Sequence, residues 1–122
     1  MEYSAEKVLV VADQADRRKS VAELLKRNFV VDVIEVVDAI GAIEFLKRDT
    51  VVIVLADSQT PGRDASDLFS YIEEKSDIKP FFIQLTEHNM LVAMNPKITV
   101  VSKLNFEELI SVVAALRVLE AR

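Results

Sequence analysis

The sequence predicts an α/β domain built on one open, doubly wound parallel sheet, and two observations carry that expectation. Five short apolar runs recur at residues 8–12, 29–34, 51–56, 81–85 and 98–101. They are rich in Val, Ile and Phe, and most are apolar at nearly every position, the pattern of strands buried on both faces and not of half-solvated ones. The segments between the runs space their apolar residues as helices do, so strand and helix alternate five times and right-handed crossovers follow.

Each element has its own local reason. After the first run, Val21, Leu24 and Leu25 recur at helical spacing behind Asp16, a predicted N-cap. After the second, Ile40, Ile43 and Leu46 do so behind Asp38, a second predicted N-cap. A third helix is expected over residues 66–75 with Leu68, Phe69 and Ile72 inward. Only eleven residues separate Thr86 from Ile98, close to the roughly 10–12 that a whole crossover needs, so the fourth helix is shortened to one or two turns. The last helix is expected over residues 105–121, capped by Asn105 with Glu107 and Glu108 in its first turn.

Composition bounds the function. With 122 residues, 51% apolar content, two glycines and three prolines, the chain fills one core and leaves little for linkers, so residues 1–122 read as a single domain. The formal charge of −5 comes from 15 basic and 20 acidic residues without long blocks, which argues against a nucleic-acid or anionic-membrane surface. No cysteine is present, so disulfides, thiolate metal sites and thiol nucleophiles are excluded. The start "MEYSAEKVLVVADQ" lacks a signal peptide's basic head and apolar segment, and no apolar run approaches the roughly 18 residues of a membrane span. A cytoplasmic, soluble protein is expected.

Function in such sheets sits at the carboxyl ends of the strands. Asp13, Asp57, Thr86 and Lys103 each fall just past the end of a different apolar run. Singly, each has an ordinary explanation: an aspartate caps a turn, a threonine satisfies a backbone group, a lysine is solvated. Together, two carboxylates, a hydroxyl and an ammonium form the set that phosphoryl transfer onto a carboxylate requires. Two carboxylates can hold one Mg²⁺ in a shell completed by other oxygens, and the metal offsets repulsion between an anionic nucleophile and an anionic phosphoryl group. Thr86 and Lys103 would serve the remaining phosphoryl oxygens, and Asp57 is the natural nucleophile.

The stretches that carry these residues resemble the CheY-like receiver domains of two-component response regulators over essentially the full chain. "VLVVADQADRRKSVAELL" resembles the family's acidic turn and first helix, "VLADSQTPGRDA" its phosphoacceptor strand and Pro-Gly loop, "IQLTE" its hydroxyl-bearing strand end, and "VVSKLNFEEL" its lysine and last helix. The resemblance implies a flavodoxin-like sheet of order 2-1-3-4-5. It also implies that Asp57 accepts phosphoryl, that Asp13 and Asp57 ligate Mg²⁺ with the Gln59 carbonyl, and that Thr86 and Lys103 contact the phosphoryl group. The implied donor is a sensor histidine kinase or phosphotransfer protein. Asp57 would be the substrate of a self-modification, so no turnover enzyme is implied.

The chain also diverges from the family. The first of the usual two acids is Ala12, which predicts weak Mg²⁺ binding. Glu87 replaces the small residue after the switch hydroxyl, Val100 replaces the switch aromatic, and Leu104 replaces the proline after the lysine. These departures support an alternative, a phosphorylation-independent pseudo-receiver acting as a protein-interaction module. A small nucleotide-binding α/β protein would instead need a glycine-rich loop after the first strand, and "ADQADRRKS" contains no glycine. His88, the only histidine, reads as an exposed residue that modulates access to Asp57. The last helix carries Leu109, Ile110, Val112, Val113, Leu116, Val118 and Leu119. That is either a deep cover for the sheet or a surface for a partner or a second copy in a homodimer.

Overall fold

A computed structural model describes residues 6–57, 65–75, 80–86, 98–102, 107, 109–111 and 113–115. Five strands, β1 (Glu6–Val11), β2 (Val31–Val36), β3 (Ile53–Asp57), β4 (Phe81–Thr86) and β5 (Ile98–Ser102), form one sheet in the order β2-β1-β3-β4-β5. Every pairing is parallel, as the doubly buried apolar runs predict. Helices α1 (Ala15–Asn28), α2 (Ala39–Leu46) and α3 (Ala65–Lys75) occupy the crossovers. Residues 107, 109–111 and 113–115 are helical within the expected last helix. The expected short fourth helix lies outside the described residues.

Strand alternation divides the core in two. Val8 and Val10 of β1, Ile53 and Leu55 of β3, and Ile83 and Leu85 of β4 face α1, packing with Val21, Leu25, Leu109 and Val113. The intervening residues Leu9, Val11, Val54, Ala56 and Phe82 face α2 and α3, packing with Ala42, Ile43, Leu68, Phe69 and Ile72. A period of two in the strands thus meets a period near four in the helices, on both faces. Each fully buried Leu or Ile contributes about 2 kcal/mol by its removal from water. On the second face the rings of Phe69 and Phe82 meet edge to face, with centroids 5.4 Å apart, a favoured aromatic geometry.

Three local expectations are corrected. Helix α1 is capped at Gln14 and not at Asp16; the Arg18 N–H donates to the Gln14 carbonyl to close the first helical turn. The helix starts early because β1 ends in register with β2, the Ala12 N–H donating to the Val36 carbonyl, and the chain turns at once. Asp16 lies in the first turn, where its charge complements the helix dipole. Strand β2 begins at Val31, because the Phe29 N–H is still spent on the Leu25 carbonyl of α1. As an edge strand, β2 is also only partly buried. Ile40 faces solvent at 52% exposure, so the inward stripe of α2 is Ala39, Ala42 and Ile43.

The second cap is as expected. Asp38 accepts a 2.7 Å hydrogen bond from the Gly41 N–H, and a Cβ at Gly41 would stand 3.2 Å from that same Asp38 oxygen, so glycine lets the cap close tightly. Beyond α2, Asp49 pairs with Lys7 of β1 and accepts from the Thr50 N–H. The chain then enters β3 through the Val52 N–H, which donates to the Lys7 carbonyl. The Lys7 ammonium, followed by the Thr50 amide, holds the Asp49 carboxyl below the usual carboxylate range.

That depression has a defined sign. A carboxylate with a lowered folded-state pKa contributes its stability above the ordinary unfolded value and loses it as pH falls through the folded one. Asp49→Asn should therefore reduce thermal stability at neutral pH and leave a shallower loss of stability on acidification than the parent shows. Melting temperatures across an acid series check this; parallel curves for the two proteins would contradict it.

Candidate functional site

Strand β3 runs through the middle of the sheet and is apolar until its last residue. Asp57 ends it at 3% exposure and is the one buried polar or charged side chain among the described residues. By alternation Asp57 follows Ile53 and Leu55 onto the α1 face. In the register, Asp57 pairs with Leu85 of β4, so Thr86 at the end of β4 lies one residue further along the adjacent strand. Thr86 in turn pairs with Ser102, the residue that precedes Lys103 in the sequence. On the other side Val11 pairs with Ala56, which carries the chain to Asp13 just beyond β1. Asp13 is exposed.

The fold thus brings Asp57, Thr86 and Asp13 to one edge by backbone register. Lys103, Gln59 and His88 lie outside the described residues, as do Glu87 and Leu104. Of the last helix, Leu109 and Val113 are buried in the core facing α1, and Ile110 is partly buried. Two of its apolar residues therefore serve as cover for the sheet; Val112, Leu116, Val118 and Leu119 fall outside the described residues.

Sequence reasoning missed a charged neighbour of Asp57. Arg17, the third residue of α1, places Nη1 3.8 Å from Oδ2 of Asp57, with the carboxylate side chain 4% exposed and the arginine 39% exposed. A protein cation is therefore set against the buried Asp57 charge. The signal was present: a basic residue in the first turn of a helix opposes the dipole, so an arginine there calls for an anion in reach. Which anion could not be read without the register of β3.

The adjacent arginine goes elsewhere. Arg18 donates from Nη1 to the Ala12 carbonyl at 3.0 Å and from Nε to Oε1 of Glu35 on β2 at 3.2 Å. This brace satisfies the carbonyl that ends β1 and pins the first turn of α1 against the sheet, which sets where Arg17 can reach. As for a divalent cation, Asp13 and Asp57 supply carboxylate oxygens, the donor type that Mg²⁺ takes, often from only one or two protein carboxylates. The residues fit in donor chemistry, although no group of three His, Cys, Asp or Glu side chains gathers for a metal among the described residues.

No protein-family model matches the sequence, and no curated protein matches it. Solved structures do match it. The signal receiver domain of an HD domain-containing protein from Pseudomonas fluorescens aligns with TM-score 0.81 at 20% identity, covering 95% of this chain and 89% of that one. The chemotaxis response regulator CheY4 of Vibrio cholerae aligns with TM-score 0.78 at 18% identity, covering 93% and 99%. The N-terminal domain of a response regulator/sensory box/GGDEF protein from Carboxydothermus hydrogenoformans aligns with TM-score 0.80 at 25% identity, covering 95% and 98%. The fold is the α/β fold of CheY-like receiver domains, with a parallel sheet in the order that the resemblance implied. Among the described residues, no helix is long and apolar enough to cross a membrane.

The Arg18 brace makes its own prediction. Arg18→Ala removes two hydrogen bonds, one to a carboxylate, and leaves the Ala12 carbonyl and Glu35 to find water. The expected loss is about 1–2 kcal/mol, read from denaturant midpoints. A change within error would show that the brace adds nothing to the first turn.

Proposed function

We propose that this chain is a response regulator receiver domain, residues 1–122, that accepts a phosphoryl group on Asp57 from a sensor histidine kinase or phosphotransfer protein in two-component signal transduction. The observation that carries the reading is the burial of Asp57, a charged side chain at the carboxyl end of the central strand of a receiver fold. Burying a carboxylate costs stability unless it is compensated. A residue that costs stability without building the core is a natural place to find chemistry.

In the proposed reaction, an oxygen of Asp57 attacks phosphorus. The bond from phosphorus to the donor breaks, and its electron pair leaves with the donor group: an imidazole nitrogen, which takes up a proton, or acetate when acetyl phosphate is the donor. Asp57 ends as an acyl phosphate. It is consumed once per event, so the domain is a signalling module and not a turnover enzyme. Thr86 and Lys103, at or just past the ends of β4 and β5, are assigned the hydrogen bond and positive charge to the phosphoryl oxygens. Mg²⁺ would be held by Asp13, Asp57 and the Gln59 carbonyl, and would supply charge neutralisation between nucleophile and phosphoryl group. With Ala12 where a second acid would add charge, that site is weak. A cytoplasmic location follows from this role.

Intact mass after incubation with Mg²⁺ and acetyl phosphate is the test. One labile phosphoryl adduct of about 80 Da is expected, absent from Asp57→Asn. A folded protein that gains no adduct at saturating Mg²⁺ would replace this reading with that of a phosphorylation-independent interaction module.

A further inference from the structure

We infer that Arg17 is a resident counter-cation of Asp57, a positioning residue that offsets the charge of the carboxylate in the metal-free protein and competes with a divalent cation for it. The inference about the metal rests on the proposed role of Asp57; the inference about the charge pair does not.

Four observations converge. Nη1 of Arg17 lies 3.8 Å from Oδ2 of Asp57, beyond hydrogen-bond distance yet within the range of an ion pair. The carboxylate is 4% exposed, so the field between the two charges is screened less than that of a surface pair. Arg17 stands in the first turn of α1, where a cation is disfavoured by the helix dipole and gains most from an anion at close range. Arg18 is already engaged by the Ala12 carbonyl and Glu35, so the two neighbouring guanidinium groups have separate tasks, one bracing β1 to β2 and the other serving β3.

Ala12 completes the argument. It is buried at 3% exposure and brings no charge, so the described carboxylates of this edge are Asp13, which solvent reaches, and Asp57, which it does not. With one acid fewer on the described part of this edge, Arg17 has less negative charge to offset. An edge balanced in this way resists the incoming anionic phosphodonor less before any metal binds. The same guanidinium must give ground when a divalent cation takes an oxygen of Asp57, because two cations on one carboxylate repel each other.

Two measurements test this. In the absence of metal, melting temperatures of the parent, Arg17→Gln, Asp57→Asn and the double variant form a cycle. Asp57→Asn should raise the melting temperature more in the Arg17→Gln background, where the buried carboxylate has lost the Arg17 charge, than in the parent; equal shifts in the two backgrounds would overturn the charge pair. Calorimetric titration with Mg²⁺ then reads the competition. Arg17→Gln should bind Mg²⁺ at least about fivefold more tightly than the parent, since about fivefold is what one charge pair near 4 Å supplies even in bulk water and this pair is less screened. Arg17→Lys should stay close to the parent. Equal affinities for parent and Arg17→Gln, with binding still lost in Asp57→Asn, would overturn the competition while sparing the Asp57 site. Mg²⁺ binding that survives Asp57→Asn unchanged would overturn both the competition and the assignment of Asp57 as a ligand, and would leave the metal-free cycle to stand or fall alone.

Discussion

The constraint on which the rest depends is the placement of a carboxylate at the end of a strand buried along its whole length. Strand β3 reads buried at all five positions, which it must as the middle member of a sheet covered on both faces. Four of those positions are filled by Ile53, Val54, Leu55 and Ala56. At the fifth, the apolar pattern stops and Asp57 takes the place that another aliphatic residue would fill more stably. The cost of desolvating a carboxylate is several kcal/mol when nothing compensates it. The surrounding structure is arranged to reduce that cost, through the cation brought by α1 and through the sheet edge where water and polar groups begin.

Helix α1 delivers its cation because three separate contacts fix its first turn. The Ala12 N–H to the Val36 carbonyl ends β1 in register with β2, the Arg18 N–H to the Gln14 carbonyl opens the helix, and the Arg18 guanidinium joins Ala12 to Glu35. Lower in the helix, Val21 and Leu25 lock it onto the face formed by Val8, Val10, Ile53 and Leu55. Packing of the helix and the electrostatics of the site are therefore one arrangement. A change that rotated α1 to improve its packing would move Arg17 relative to Asp57.

Much of this was legible in the sequence, for identifiable reasons. The buried strands stood out because a doubly covered sheet demands unbroken apolar runs, and Asp57 stood out because it ends one of them. The Asp38 cap was legible from local chemistry alone. The failures are equally specific. Asp16 has the right residue type for a cap, but the register of β1 with β2 starts the helix earlier, and such long-range pairing is invisible in a local window. Ile40 fits a helical stripe, yet α2 is short and meets the sheet through Ala39, Ala42 and Ile43. Arg17 was hidden among "DRRK" because charged residues at a helix start usually read as solvated surface, and only the three-dimensional juxtaposition with β3 distinguishes it from Arg18 and Lys19.

The central claim is that Asp57 is the reactive carboxylate, and locating the modification tests it more directly than detecting one. After treatment with a phosphodonor and Mg²⁺, borohydride reduces an acyl phosphate to an alcohol with release of phosphate, converting the modified aspartate to homoserine. Peptide mass mapping should then find homoserine at position 57 and unaltered aspartate at position 13. Homoserine at position 13, or at any site other than 57, would contradict the account.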